Sequence, residues 1–404
     1  AFEEAAQALG VELVYATDHC HRLGDLWRDG AVPVKFHDPA LSIRRVREAA
    51  QGRAFDGVVA VGDRPARLAA HVAADLGLAF HPPAGTEVAA SKVLTRGRLL
   101  AADLPVPWFV SLPLDARLDE FAARVRFPCV VQPLALSASR GVMRADTPDE
   151  FVAALGRLRR ILESPDVRGQ HDPAHAEVLV EGFVPGLEYA LEGVMERGAL
   201  RVLAIFAKPF PLDGPYFEET VYVTPPGLNA VTERALAETI AEAALAIGLH
   251  HGPIHAECRV NERGVFVLEV AARPIGGLCA RSLRFEARDG QPQSLEQLLL
   301  RHACGETLEG YRREPLASAA MMVPVPAPGY YRPAEGLEEA CAVPGVDEVV
   351  MTATPGQLLE PWPEGHSYPG FVFARGAVPE EAVRAVTEAH RRLRFVLDQA
   401  LPMA

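Results

Sequence analysis

Lysine is nearly missing from this chain. Of 40 basic residues among 404, 37 are Arg and three are Lys: Lys35, Lys92 and Lys208. A sequence that uses guanidinium wherever a plain positive charge suffices makes each remaining ammonium a candidate for work suited to a compact point charge, such as phosphate contact. Chance survival is the competing reading for each. Long apolar runs are missing too. No stretch reaches 18 uninterrupted apolar residues, which excludes a transmembrane helix. Positive charge is in deficit: a net charge of −13 argues against a general binder of nucleic acid or anionic membrane. The six cysteines are scattered with no CxxC pair, so a reducing cytoplasm is the expected location. Neither GxSxG nor HExxH occurs, which removes two hydrolase signatures. A signal-peptide pattern is absent, yet the chain opens on Ala1 and goes directly into a helix. Further native residues are therefore expected before it.

What is present suits two or three domains, with 49% of residues apolar and ample material for a core. VELVYA (11–16) and FDGVVAVGD (55–63) read as short buried strands, and a helix between 64 and 76 stops at Gly77. That alternation implies a small parallel α/β domain. HPPAG (81–85) reads as a break, followed by a helix around SKVLTRGRLLAADL that LPVP (104–107) ends. FPCVVQP (127–133) reads as a strand and SASRGV (137–142) as a small-residue loop. TPDE has the form of a capping box, with Thr147 as N-cap and Glu150 reaching back. Phe151, Leu155, Leu158 and Leu162 then form one apolar stripe. Strands follow through AEVLVEGFVPGLEYALEGVM and LRVLAIFAKPF, then a helix marked by Leu236, Ile240, Ala243, Ala244 and Ile247 that Gly248 stops. A helix lies near 294–303. Residues 318–404 read as proline-rich strands with a last helix from Pro379.

The most informative stretch is IHAECRVNERGVFVLEVAARPIGG (254–277). Two alternating apolar runs flank a polar turn, and each carries a glutamate where a core strand would carry Val or Ile. A three-residue loop, Glu262-Arg263-Gly264, puts Gly264 where left-handed backbone angles are needed and sets Asn261 against Val265. Counting outward, Glu257 faces Glu269. Like charges directly opposite are destabilising, so a cation must lie beside them. Arg259 and Arg273 share their face by alternation, which allows a structural ion-pair cluster. A magnesium site is the other reading, since hard cations take carboxylate oxygens. Both stand on this stretch alone.

The Lys92 helix, the small-residue loop, the VEGFVPGLEY segment and the two-glutamate hairpin occur in an order that resembles the ATP-grasp superfamily. Within it, the chain is most similar to carboxylate–amine ligases of the L-amino-acid ligase type, and the likeness extends to the tail GFVFARGAVPEEAVRAVTEAH. The resemblance implies an α/β and α+β multidomain fold. Residues 1–86 would form an N-terminal α/β domain and 87–305 the ATP-grasp domain, with a flap subdomain at about 107–182; 306–404 would form a C-terminal α+β domain. Lys92 would touch ATP phosphates, and the loop with Ser137, Ser139, Arg140 and Gly141 would cover them, although a plain β-turn would look alike. Glu181, Phe183 and Val184 would belong to the adenine hinge and Glu188 would bind ribose; ordinary exposed strand positions are the alternative for the two glutamates. Glu257 and Glu269 would hold Mg2+ or Mn2+. Arg273 would hold the transferred phosphate or acyl phosphate, with Gly276 and Gly277 shaping the substrate pocket and His255 lining it.

Lys208 would serve phosphate or form a salt bridge with Glu218 or Glu219. His19, Cys20 and His21 are too close in sequence to make a good tetrahedral site, and His250, His251 and His255 lie on a loop-to-strand stretch, not on the helix that an i, i+4 metal pair needs. Two positions depart from the family pattern. The strand ends in VQP, with Gln132 where a lysine contacting ATP phosphate is usual, and Ala271 stands where a polar group usually follows the second glutamate. The resulting expectation is a cytoplasmic, ADP-forming ligase that joins a carboxylate, an amino acid foremost, to an amine through an acyl phosphate. Its partners would be small molecules, not nucleic acid or membrane, and a homodimer stays open. The alternatives are a purine-pathway or carboxylase-like ATP-grasp ligase, or an ATP-binding regulatory protein with impaired catalysis.

Overall fold

The computed structural model of the chain describes residues 1–18, 31–117 and 125–399; the expected His19, Cys20 and His21 cluster lies outside the described residues. Helix α1 (Phe2–Leu9) ends at Gly10, whose φ of 68° is left-handed. Strands β1 (Ala16–Thr17) and β2 (Val32–Pro33) pair in parallel. Helix α2 (Pro39–Ala50) starts where the Asp38 carboxylate accepts from the Leu41 amide, and α3 (Asp63–Leu76) stops at Gly77 as the sequence suggested. The two expected buried strands form only in part. Of 11–16, Ala16 alone enters a ladder, and 55–62 enters none. Both runs line one large cavity, and apart from the Ala16–Val32 pair no described strand lies at the ladder distance of about 4.8 Å from either. Val11, Leu13 and Val59 instead pack half-buried against Ala5, Ala6 and Leu300. The expected break at 81–85 is in fact a helix start, since α4 (Pro83–Ala89) places Pro83 where no amide partner is needed. Helix α5 (Lys92–Ala101) follows, capped by the Ser91 hydroxyl.

Two antiparallel sheets position the site, and two small three-stranded sheets lie beyond them. The smaller has the order β3-β6-β4-β5, from β3 (Phe109–Pro113), β4 (Cys129–Pro133), β5 (Met143–Ala145) and β6 (Glu177–Gly182). Helix α6 (Pro148–Leu162) covers it with the expected stripe, Phe151, Leu155, Leu158 and Leu162 all being buried. Its capping box is half-formed. The Thr147 hydroxyl accepts from the Glu150 amide at 3.3 Å, but the Glu150 carboxylate accepts from Asp146 at 2.7 Å, one residue beyond the expected partner.

The larger sheet takes β7 (Leu187–Glu196), β8 (Ala199–Ala207), β9 (Val221–Thr224), β10 (Gly252–Asn261) and β11 (Gly264–Ala271). It continues without interruption into β12 (Ala317–Met322), β13 (Val346–Met351) and β14 (Gly370–Gly376), in the order β11-β10-β7-β8-β9-β12-β14-β13. Helix α7 (Ala230–Ile247) buries the five residues its periodicity marked and stops at Gly248 with φ 95°. Helix α8 (Leu295–Ala303) begins with a complete Ser294–Gln297 capping box, and α9 (Pro379–Arg392) packs on the C-terminal strands. No described helix is long and apolar enough to cross a membrane.

His81 ties the N-terminal part to β10. One ring nitrogen lies 2.9 Å from the Pro253 carbonyl and the other accepts from the His250 amide. Burial drives its pKa down to about 4, with His251, His302 and His250 nearby adding to the fall. The fold therefore favours neutral His81, and that stability is complete above the unfolded value near 6.5. It is lost as pH falls from 6.5 through 4, by on the order of 3 kcal/mol for full protonation. We expect the thermal midpoint to fall over this range and His81→Gln, which keeps a donor for Pro253, to flatten the fall. A wild-type midpoint that is level from pH 6.5 to 4 would contradict this.

Candidate active site

The turn between β10 and β11 has two residues, not three. Asn261 pairs with Gly264, so the ladder begins one register away from the expectation. A bulge then inserts Leu268, and beyond it Glu257 does pair with Glu269. A one-residue slip would send one carboxylate to the opposite face, and the bulge corrects it. The bulge is held from outside, where the Arg96 guanidinium on α5 donates to the Leu268 carbonyl at 2.9 Å.

Each carboxylate has its own cation. Lys92 Nζ lies 3.0 Å from Glu269 Oε2. Lys208 Nζ lies 3.1 Å from Glu257 Oε1 and 2.6 Å from Glu188 Oε1, and it also bonds Glu219. The sequence left Lys208 between phosphate and a glutamate bridge. Here it forms the bridge, to Glu219 and not Glu218. Arg259 completes the cluster at 2.9 Å from Glu188 Oε2 and 2.8 Å from the Val184 carbonyl. Glu188 is thus a buried ion-pair member, not an exposed strand residue. Lys35 is exposed and takes no part.

These contacts set the protonation states. Burial alone would raise Glu257, but Lys208 and His255 hold it well below the usual carboxylate range. His255 is likewise buried against its charged form, yet its bonds to Glu192 and Glu257 lift it to about 9. Its Nδ1 lies 3.2 Å from Glu192 Oε2, which also accepts the Ile275 amide at 3.0 Å. Burial raises Glu192, whose Oε1 has no partner among the described residues. Glu219 is raised by burial and by Glu257, with Lys208 opposing. Among the described residues, Glu188, Glu219 and Glu257 present oxygens within 4.8 Å of one another, close enough to share a cation. The sequence reading did not identify Glu219 as a possible ligand. Its signal was an acid just before the short apolar strand VYVT.

Arg273 stands at the other end of the hairpin. Its Nε donates to Asp63 Oδ1 at 2.7 Å, at the start of α3, and Asp63 raises the guanidinium's pKa despite burial. Nothing in the sequence around Asp63 announced this pairing. Gly277 follows with φ 61°, and a Cβ there would come within 3.1 Å of the Phe371 ring. Across the cavity, the buried Glu181 receives Arg96 through two bonds of 2.7 and 3.0 Å, and Gln132 Nε2 approaches it to 2.5 Å. Arg96 is one helical turn beyond Lys92, an i, i+4 spacing that would have flagged it as facing the same way. The Phe183 ring stacks under Arg144 and Arg259, at 4.1 and 5.1 Å.

The loop after β4 is more than a plain turn. Ala138, Ser139 and Gly141 have φ of 56°, 54° and 74°. For residues with a Cβ that conformation costs about 1–2 kcal/mol each. Arg140 is buried and paired with Asp166, whose carboxyl falls to about 2 because Arg140 and Ser164 outweigh its burial. A cavity of about 1680 Å³ unites the site. Every residue expected to contact ATP, metal or substrate lines it except Gly141 and Lys208.

The Arg96–Glu181 pair joins the two sheets and is sealed from water. Removing one partner of such a pair strands a buried charge, which typically costs 3–5 kcal/mol, roughly. We expect Arg96→Met to lose that much in urea denaturation and the double variant with Glu181→Gln to regain at least half. Loss no greater than for an exposed arginine would contradict this.

Comparison with known proteins agrees with this geometry. The ATP-grasp N-terminal domain matches residues 2–80, the ATP-grasp domain 125–282, and the L-amino acid ligase C-terminal domain 2 residues 321–398. The structure is similar to L-amino acid ligase from Bacillus licheniformis, with TM-score 0.82 and 27% identity over 98% of this chain and 96% of that one. Phosphoribosylglycinamide synthetase from Anaerococcus prevotii shares the fold at TM-score 0.66 and 11% identity, covering 98% of this chain and 96% of that one. By sequence, an uncharacterised protein (y4rH) of Sinorhizobium fredii is 25% identical over 76% of this chain and 61% of its own length. The ATP-grasp enzyme fsqD of Aspergillus fumigatus is 25% identical over 64% of this chain and 46% of its own, so the chain spans only part of these curated relatives. A D-alanine–D-alanine ligase of Laribacter hongkongensis is 30% identical over 45% of this chain and 55% of its own length. With the profiles along the chain, the fold and the facing glutamates in agreement, the chain belongs to the ATP-grasp superfamily.

Proposed function

We propose that this protein is an ATP-dependent ligase that joins a carboxylate, a free amino acid foremost, to an amine. ATP would phosphorylate the carboxylate, the amine would attack the acyl phosphate, and ADP and phosphate would leave. One observation carries the reading: Glu257 and Glu269 are held face to face on a cavity wall with Lys92 and Arg273 beside them. A repulsive pair of this kind gives no stability to a core, whereas catalysis of phosphoryl transfer is mostly charge neutralisation and positioning.

The donor set fits a hard divalent cation, Mg2+ or Mn2+, held by Glu257 and Glu269 with Glu219 as a further oxygen. Ala271 is buried and offers no ligand; Glu219 lies with Glu188 and Glu257 around Lys208, while Glu269 is outside that group and pairs with Lys92. Such an ion would offset negative charge on the transferred phosphoryl group. The chain's own residues do the rest. Lys92 and Arg140 supply positive charge toward the phosphates, under the loop with Ser137, Ser139 and Gly141. Lys208 fixes the orientation of Glu188, the ribose ligand, and of Glu257. Glu181, Phe183 and Val184 form the adenine side, and Gln132 belongs with them, since its amide donates to Glu181 and is not free for the phosphate contact expected of that position. Arg273 holds the acyl phosphate, and Gly276, Gly277 and His255 shape the substrate pocket.

In this reading 1–86, 87–305 and 306–404 are the working units, with a flap at about 107–182. The enzyme acts on small molecules in the cytoplasm, and a homodimer is the assembly to test. Measuring ADP release against pooled amino acids and small amines identifies the substrates. With a competent pair, Glu269→Gln should lower turnover by about 100-fold or more while leaving the thermal midpoint nearly unchanged. A folded variant with near-native ADP production would sink the assignment.

A further inference from the structure

A segment near the far end of the chain, residues 361–366, lies across the loop at 137–141. Trp362 Nε1 donates to the Ala138 carbonyl at 2.7 Å, and the Gly141 amide donates to the Pro363 carbonyl at 3.0 Å. Arg140 Nε donates to the Glu364 carbonyl at 3.0 Å. The segment is anchored on both sides. The Glu364 carboxylate takes two bonds from Arg157 on α6, at 2.5 and 2.6 Å. Trp362 is buried in a C-terminal apolar cluster and stacks on Tyr368 at 4.7 Å.

The loop needs such support. Inside it, the only backbone bonds among the described residues are Arg140 to Ser137 at 3.3 Å and Val142 to Ser139 at 3.1 Å. Two weak turns do not hold Ala138 and Ser139 in left-handed conformations. The Arg140–Asp166 ion pair fixes one side chain, and the three further bonds to the loop all involve the segment more than 200 residues away.

We propose that residues 361–366 are a positioning strap, through which the C-terminal part of the chain presets the nucleotide-covering loop. The inference rests on the reading of that loop as the cover for ATP. A binding-competent shape populated only part of the time weakens apparent affinity by that fraction, so loosening the strap weakens ATP binding in proportion. Trp362 and Glu364 touch no substrate in this account. They act through Ala138, Arg140 and Gly141.

Two variants of the full chain test it. Trp362→Phe keeps the packed ring and removes the N–H; Glu364→Ala releases Arg157. Hydrogen exchange of peptides covering 134–144 and calorimetry with magnesium and ATP are compared with wild type. The strap predicts roughly 10-fold faster loop exchange, ATP Kd raised by about the same order, and kcat at saturating ATP within about 2-fold. Unchanged loop exchange, or faster exchange with unchanged Kd, overturns it. A general structural role would lower the thermal midpoint and leave Kd alone, which also overturns it. The wild type is its own control: if ATP binds but does not protect 137–141, the nucleotide reading of the loop is wrong, and the proposal falls with it.

Discussion

Two carboxylates forced to face each other are the constraint on which this structure turns. Glu257 and Glu269 repel, and each is stabilised by a different cation from a different part of the chain. Lys92 reaches Glu269 from the helix after the N-terminal part. Lys208 reaches Glu257 from the residue after β8 and holds Glu188 and Glu219 together with it. The hairpin therefore gathers its surroundings. Arg96 braces the bulge that sets the register and, through Glu181, ties the larger sheet to the smaller one. Arg273, just beyond the hairpin, is paired with Asp63 from the first hundred residues.

The same logic explains why lysine survives where it does. At Lys208 three carboxylates converge on one point, and a compact ammonium can meet all three, whereas a planar fork favours one or two in its plane. Arg96 and Arg259 occupy the complementary places: Arg96 holds Glu181 through two bonds and the Leu268 carbonyl through a third, and Arg259 spreads its fork over Glu188 and the Val184 and Leu212 carbonyls. The exposed Lys35 shows that rarity alone does not mark a site.

Much of this was legible in the sequence, for physical reasons that differ from residue to residue. The pairing of Glu257 with Glu269 was legible, but by compensation: a tighter turn and a bulge at Leu268 together restore the register that a looser turn would have given. Helix ends at Gly77 and Gly248 were legible because left-handed caps favour glycine. The N-terminal strands were not, since apolar runs say nothing about whether a neighbour lies at ladder distance. Asp63, Arg96 and Glu192 were missed because ordinary charged residues gain meaning only from distant partners; Glu219 was legible as a partner for Lys208 but not as a neighbour of Glu257. The strap at 361–366 was missed for the same reason, each of its three bonds to the loop ending on a backbone carbonyl, which carries no sequence signal.

In the proposed reaction this site activates a carboxylate as an acyl phosphate. Incubation with ATP, magnesium, the competent carboxylate and hydroxylamine in place of the amine tests it most directly. Capture of an acyl phosphate gives a hydroxamate formed in step with ADP and phosphate. Hydroxamate accompanied by AMP and pyrophosphate would contradict it, because that outcome means the carboxylate is adenylated.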